Sequence, residues 1–430
     1  MMTHEQRRDG PNGLLVVVNS IGIPVLVREY GDVHAPPSAA LGVISALFHA
    51  ARNDTRDSEL QWLQTSKRSI CYQLKQSDLL LVFASDKPNS SQRNVSASVN
   101  ALLRLVFATI ELAAGEGVLA STDASKLRST IAKVLDVIDY IVINHRRDAR
   151  LVLQRPGCCV GRSIGLGKAV KAGELSSRGI RCAFAISQDG TIVEEAITSK
   201  SDRISAECAL ILTFLARAHE ATVFDQMIFV QLGNSVVPQR VLIRSTTQRS
   251  LRLVLVLDEN SPVDDGLLDT ILQQVIDTSF ACDSTYWTAV PSSIDTTLPA
   301  SFICAISARP GSPSPSCRLL SLLRPTWRKL IVAKANVVEV DHGRVGSAPK
   351  DEHGLWRMLS GFIASRIEAA SDHLSDCKVS DELLTFVHST RGPIHAYSVF
   401  VGAIPITKVC ALGDIVCRAF LVHSNTPAAA

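Results

Sequence analysis

Short apolar runs separated by turn residues open the chain and predict a β-hairpin. Residues 14–18 (LLVVV) and 23–27 (IPVLV) flank the segment NSIG, whose polar and glycine residues suit a tight reversal. Pro24 lies early in the second run, and proline in sheets is confined to edge strands, strand starts and bulges. We therefore expect the second run to form an edge strand or to start at the proline.

Apolar residues at helical spacing predict a helix after this hairpin. Its stripe comprises Ala40, Val43, Ile44, Leu47, Phe48 and Ala51. Strand-like runs follow at 69–74 and 79–84, with a possible further strand at 60–63. Two further helical stripes cover 99–110 and 127–142. The order of this first module is therefore ββαβββαα.

The same order restarts after a connector rich in glycine, cysteine and basic residues. The runs 182–187 and 191–197 flank Asp189-Gly190, and an Asp-Gly pair between strand-like runs is a strong hairpin signal. A helical stripe follows from Ile204 to Leu215, and then strand-like runs at 226–231, 240–243 and 251–257. Ser261-Pro262 suits the start of a closing helix. This second module repeats the first without obvious sequence identity.

A third module is predicted after a Ser- and Pro-rich stretch that suits an exposed linker. Its strand-like runs lie at 329–333, 335–340, 383–387, 396–404 and 414–422, with one helical stripe from Leu355 to Ile363. The predicted boundaries are 1–12 disordered, 13–150 first module, 151–178 linker, 179–282 second module, 283–318 linker, 319–424 third module and 425–430 tail. The fold class is thus α+β, with three modules that each pack an antiparallel or mixed five-stranded sheet against helices.

Composition narrows the class of protein. Hydrophobic residues make up 46% of the 430 residues and charged residues 20%, which is typical of folded chains with large cores. The formal charge is +3 and no segment concentrates lysine and arginine beyond short patches such as HRRDAR at 145–150, so nucleic acid is not indicated as a partner. Eleven cysteines without a CxxC pair favour buried thiols in a reducing compartment. No apolar run suits a signal peptide or membrane span, so we expect a cytoplasmic protein with, at most, peripheral membrane contact.

One short motif suggests catalysis. GRSIG at 161–165 matches the nucleophile elbow around Ser163, but the chain lacks the strand-helix alternation of an α/β-hydrolase. Asp258 and His388 are possible partners of this serine that no physical argument selects. The adjoining GLGK fails as a phosphate loop, because Arg162 stands where glycine is needed. A serine hydrolase therefore remains an alternative, and we predict no catalytic residue, no metal and no cofactor.

The stripe of the first helix admits two interpretations. Its apolar side chains either complete the core of the first module or face a partner, and a core role is favoured for the stripe as a whole. If the module pairs with a second one, we expect Ile44, Leu47 and Phe48 to lie near the shared surface.

Several strings resemble the longin-type modules of tri-longin exchange-factor subunits, and among these the Fuzzy family of planar cell polarity effectors. They are 14–31, 40–48, 76–86, 99–115 and 126–142 in the first module, and 225–243 with 251–262 in the second. The second-module strings are the most specific, and the last 120 residues match only loosely. Mon1-type subunits of endosomal exchange factors share the first module's pattern and are the alternative.

The resemblance implies a subunit of the ciliogenesis and planar polarity effector complex. Such a subunit pairs with Inturned, is joined by a WD-repeat planar polarity effector, and promotes nucleotide exchange on a Rab-type small GTPase. Its implied roles are ciliogenesis, intraflagellar transport assembly and planar cell polarity, at the ciliary base or basal body. No active-site chemistry is needed, because an exchange factor binds the nucleotide-free GTPase better than the loaded one. We expect exchange activity only from the heterodimer.

Overall fold

The chain is a mixed α+β protein, seen here in a computed structural model. The described residues are 12–33, 42–43, 45–48, 50, 61–75, 79–86, 92–121, 123–145, 148, 150–151, 154, 156–158, 166, 179–186, 190, 192–199, 204–218, 224–232, 235–245, 251–261, 302–308, 319–323, 362, 376–380, 384–391 and 394–401. The chain divides into two compact units. One comprises residues 1–145, 226–240 and 367–370, and the other comprises residues 146–225, 241–366 and 371–430.

The first sheet opens with the predicted hairpin. Its strands are β1 (Gly13–Val18), β2 (Pro24–Tyr30), β3 (Trp62–Gln64), β4 (Arg68–Leu74) and β5 (Leu80–Asp86). In the described part of the chain they form an antiparallel sheet in the order β2-β1-β5-β4-β3. Every residue of β1 is buried, because it pairs on both sides and both faces of the sheet are covered. β2 lies at an edge, which confirms the position expected from Pro24.

Helical residues cover both faces of this sheet. The Phe48 helix (residues 42, 43, 45–48 and 50) lies on one face, where Phe48 belongs to a buried cluster that includes Val16 and Tyr72. The other face meets α1 (Gln92–Leu119) and α3 (Leu135–Asn144), since Cys71 contacts Asn100 and Tyr30 contacts Asp139. α2 (Ala124–Ala132) lies between these two helices in the chain, packs against β2 and is capped by Asp123.

The predicted stripe over 127–142 forms two helices, α2 and α3, instead of one. The amides of Lys133 and Val134 bond to the carbonyls of Thr130 and Ile131, a three-residue spacing that tightens the chain into a turn. No glycine or proline marks this break, so the uninterrupted apolar spacing concealed it.

A buried carboxylate ties the edge strand to α3. Asp139 is fully buried and accepts hydrogen bonds from the Tyr30 hydroxyl at 2.9 Å and from Arg28 Nη2 at 2.8 Å. Both donors lie on β2, on the face opposite the Phe48 helix. The free-energy cost of burying this charge is offset by the two charge-assisted hydrogen bonds. They also hold in place β2, which pairs with β1 at the edge of the sheet.

The remaining described strands form a second, longer sheet. They are β6 (Gly157–Cys158), β7 (Ile180–Ile186), β8 (Ile192–Ile197), β9 (Phe224–Leu232), β10 (Ser235–Ser245), β11 (Arg252–Leu257), β12 (Phe302–Ala308), β13 (Leu319–Leu323), β14 (Asp376–Ser380), β15 (Leu384–Arg391) and β16 (Ile394–Val401). Over the described residues the order is β14-β15-β16-β12-β13-β6-β8-β7-β11-β10-β9. The helix α4 (Ala206–Ala218) follows β8, as predicted.

The same order of five strands occurs three times in the described residues. In β1–β5 the second strand is followed across the sheet by the first, fifth, fourth and third. The sets β7–β11 and β12–β16 follow the same rule, as β8-β7-β11-β10-β9 and, read in reverse, β13-β12-β16-β15-β14. The β7–β8 hairpin turns at Gly190, whose φ of 85° suits glycine. These orders bear out the mixed α+β class and are compatible with the repeated module.

Two predicted linkers contain strands. β6 lies inside 151–178, and β12 lies inside 283–318, where the apolar run FICAI is surrounded by the Ser, Thr and Pro residues that dominated the prediction. The strands predicted at 329–333, 335–340 and 414–422 lie outside the described residues, as does most of the helix around Phe362. β15 and β16 match the strands predicted at 383–387 and 396–404. No described helix is long and apolar enough to cross a bilayer.

Gly115 interrupts α1 with φ 63° and ψ 166°, a conformation that essentially only glycine adopts. A Cβ at this position would lie 2.5 Å from the ring of Phe229, which belongs to the same unit. The kink and the close ring contact therefore both require the absence of a side chain.

We expect Asp139→Ala to lower the free energy of unfolding by about 3 kcal/mol, because it leaves the Arg28 guanidinium and the Tyr30 hydroxyl without their buried partner. Urea denaturation measures the change. Tyr30→Phe removes only one of the two hydrogen bonds and should cost about 1.5 kcal/mol. A loss from Asp139→Ala no larger than that from Tyr30→Phe contradicts the anchoring role.

Gly115→Ala should destabilise the protein by about 2 kcal/mol, since alanine is strained at this φ and ψ and its Cβ overlaps Phe229. Gly117→Ala is the matched control: it lies in the same helix with open space around it and should stabilise by about 0.5 kcal/mol. Thermal or urea unfolding of both variants checks the pair. Equal effects at the two positions would disprove the interpretation.

Candidate partner-binding surface

The structure describes two of the three residues predicted to lie near a shared surface. Phe48 is only 1% exposed and lies in the core of the first sheet, with its ring centroid 5.8 Å from that of Tyr72. Phe48 therefore has the core role that was favoured for the stripe, and its place near a shared surface stays a prediction. Leu47 is 46% exposed. Ile44 lies outside the described residues.

An exposed apolar pair runs along the outer side of the Phe48 helix. Val43 is 57% exposed and Leu47 46%, and residues four apart share one side of a helix. Ser45 and Phe48 are buried, three residues apart, so they mark the inner side. Val43 is the residue that the predicted set omitted, and its spacing from Leu47 is the signal that could have found it. We call Val43 and Leu47 the outer helix face.

The edge strand adds a third exposed apolar side chain on the same face of the sheet. Val27 is 36% exposed and pairs with Val16, whose side chain belongs to the cluster around Phe48. Directly opposed residues of an antiparallel pair place their side chains on one face. The Phe48 helix and Val27 therefore lie on the same face of the first sheet.

The loop before β2 presents two more apolar residues in a fixed conformation. Ile21 and Ile23 are both exposed, at 56% and 38%. The buried Asn19 holds the loop through two hydrogen bonds to Ile23. The side-chain Oδ1 of Asn19 accepts a hydrogen bond from the backbone N–H of Ile23 at 2.8 Å, and the backbone N–H of Asn19 donates to the Ile23 carbonyl at 3.0 Å. Ordering of this loop costs little on binding, because these bonds already fix the backbone.

The matching helix of the second strand set has no such exposed face. α4 lies between the second and third strands of its set, as the Phe48 helix does in the first, and every side chain from Cys208 to Ala216 is buried. Arg150 contributes to this cover, with its guanidinium carbon 5.4 Å from the centroid of the Phe214 ring. A helix that is apolar all round must be covered on all sides. In the first set, the outer helix face is left to solvent.

Behind the surface, burial suppresses ionisation of two neighbouring side chains of β4. It raises the pKa of the Cys71 thiol from 9.0 to about 12, against a smaller lowering by a hydrogen bond to the Tyr72 backbone. It also raises the pKa of the Tyr72 hydroxyl from 10.0 to about 12. Both groups are therefore neutral at physiological pH; Tyr72 lies on the face of the Phe48 helix and Cys71 on the face that meets α1.

The residues weighed for catalysis are dispersed or undescribed. Ser163 lies outside the described residues. Asp258 accepts a hydrogen bond from Arg181 Nε at 2.7 Å, and His388 stacks on Tyr397 with ring centroids 4.5 Å apart. No group of three or more His, Cys, Asp or Glu side chains with metal-binding geometry occurs in the ranges that the structure describes. The described surface therefore offers apolar contact area and strand edges.

No protein-family model matches the chain, and no curated protein matches it.

Alkaline pH should destabilise the fold through Cys71 and Tyr72. Because burial raises both pKa values, the neutral forms stabilise the protein fully below about pH 9, and this contribution is lost as the pH rises towards 12. Urea midpoints measured across this range should fall. Cys71→Ser and Tyr72→Phe, which remove one ionisation each, should flatten the decline relative to the neutral-pH value of the same variant. An unchanged slope in both variants refutes the assignment.

Proposed function

We propose that the chain is a non-catalytic subunit of the Fuzzy type, which pairs with Inturned to form a guanine-nucleotide exchange factor for a Rab-type small GTPase. The observation that carries the proposal is the strand order, which recurs three times in the described residues and is compatible with repeated longin-like modules. The strings that resemble the tri-longin subunits fall on the same strands and helices, including 14–31 on β1 and β2 and 251–262 on β11.

The outer helix face supports a partner for the first module. Val43 and Leu47 on one side of a helix, and Val27 on the same face of the sheet, are exposed apolar side chains that association would remove from water. The corresponding helix of the second set is already covered. We infer that the Inturned subunit covers the first helix in the heterodimer.

Exchange activity follows from differential affinity and needs no reactive side chain. A partner that binds the nucleotide-free GTPase more tightly than the loaded form weakens the hold on the nucleotide by the same factor. Each tenfold gain in release corresponds to about 1.4 kcal/mol of that difference. The surface of a rigid sheet with helices supplies this by its shape alone.

The proposal places the heterodimer in a larger assembly. A WD-repeat planar polarity effector joins it, and the assembly acts at the ciliary base in ciliogenesis, intraflagellar transport assembly and planar cell polarity, with peripheral contact to the membrane. A tagged chain should therefore concentrate at basal bodies. Concentration at endosomes would point instead to the Mon1-type role.

Nucleotide release tests the proposal directly. Rab-type GTPases loaded with a fluorescent GDP analogue are mixed with the chain, with Inturned, with both together and with neither. We expect accelerated release only from the pair. Failure of the chain to bind Inturned, or of the pair to accelerate release from any Rab-type GTPase tested, overturns the proposal.

Leu47→Asp should weaken binding to Inturned by roughly 30-fold. The charged side chain removes the apolar burial of Leu47 in the proposed interface, which contributes about 2 kcal/mol to binding. Exchange activity at low concentration falls with it and returns when the concentration is raised. Met227→Asp is the control, since it makes the same kind of change at a comparably exposed apolar residue of β9. Equal binding by the two variants removes the outer helix face from the interface.

A further inference from the structure

The chain that leads from the first module into the second is clamped to the second strand set by one arginine. The guanidinium carbon of Arg150 lies 5.4 Å from the centroid of the Phe214 ring on α4. Its Nη2 donates a hydrogen bond to Asp148 at 2.6 Å, and its Nη1 lies 3.0 Å from where a Cβ of Gly190 would be, so it also lies against the β7–β8 turn. Stacking and charge pairing together fix the start of this segment.

The same segment ends in β6, which joins two strand sets. β6 pairs in parallel with β13, where Leu319 lies opposite Gly157 and Leu320 opposite Cys158. On its other side it pairs in parallel with β8, where Cys158 lies opposite Ile192. In the described residues, the second and third strand sets therefore form one continuous sheet only through β6.

This join is slight compared with the joins inside each set. β6 has two residues, and both of its neighbours are parallel. β7, by contrast, pairs with β11 in the antiparallel sense from Ile180 to Ile186, and β12 pairs with β16 from Phe302 to Ala308. Parallel pairs are slightly less stable per residue than antiparallel ones. We therefore expect the sheet to open at β6 before it opens within either set.

Gln154, between the clamp and β6, is held in an unfavourable state. Its φ is 54°, which no other non-glycine residue matches as a positive value in the described part of the chain. Its side chain is buried, and its Oε1 has no hydrogen-bond partner. Left-handed backbone and an unsatisfied buried acceptor each cost free energy, and both costs vanish when the segment leaves its packed position. Gln154 therefore opposes what Arg150 holds closed.

We propose that the described residues 148, 150–151, 154 and 156–158 form a latch. When the latch is closed, β6 joins the second and third strand sets into one sheet. When it opens, β8 and β13 lose their shared neighbour in a single step. All of these residues and strands belong to one compact unit, so the inference is independent of the proposed function and of any partner.

Hydrogen exchange of the full chain, followed by mass spectrometry of its peptides, tests the latch. Arg150→Ala removes the clamp, so peptides that cover β8 and peptides that cover β13 should both exchange about tenfold faster. Gln154→Gly should slow both by about threefold, because glycine suits this φ and the buried oxygen is removed. Arg181→Ala is the matched control: it removes another arginine of the same sheet, paired with Asp258 at 2.7 Å, and should leave β13 unchanged.

The two strands must respond together and in opposite directions in the two latch variants. A change at β8 without one at β13, or the reverse, overturns the latch, and so does faster exchange in Gln154→Gly. Peptides of β1 and β5 report on unfolding of the whole chain. If Arg150→Ala accelerates these as well, Gln154→Gly decides: slower exchange at both β8 and β13 supports the latch, and unchanged rates overturn it.

Discussion

The structure depends on a first strand that pairs on both sides. In each set this strand takes one neighbour from the adjoining hairpin and the other from a strand much later in the chain, as when Val16 lies opposite both Val27 and Val82. The hairpin contact is local and inexpensive in chain entropy, whereas the second contact closes a long loop. Burial of the central strand offsets that cost: β1 is buried throughout, and β7 is buried at every residue but one.

This constraint also determines which strands lie at the edges of each set. If the first and fifth strands occupy the middle, the second and third strands must be the edges, whatever their side chains are. In the described residues the second-strand edges of β8 and β13 pair with β6, whereas Arg28 and Tyr30 of the remaining second strand, β2, bind Asp139 of α3. These side-chain hydrogen bonds hold β2 against the helix layer of its own sheet.

Local signals in the sequence predicted local structure well. NSIG and Asp189-Gly190 located both hairpins because turn residues act within a few positions, and Pro24 correctly indicated an edge strand. Features that depend on tertiary packing were missed. The break between α2 and α3 carries no glycine or proline, and β12 is a short apolar run between polar stretches that resembles a linker by composition. The pairing of β6 involves two residues and leaves no periodicity to detect.

The same limit explains the candidate surface. The sequence of a helix with apolar side chains on several sides does not show which of them packs against its own sheet. Phe48 and Leu47 are adjacent in sequence, yet Phe48 is buried and Leu47 is exposed. Only the position of the sheet decides between them. The outer helix face can also be compared with α4, which has the same place in the second strand set. The side chains of α4 from Cys208 to Ala216 are all buried, whereas Val43 and Leu47 of the Phe48 helix are exposed. A surface that is closed in one repeat and open in another is where a second subunit can bind without rearranging the core.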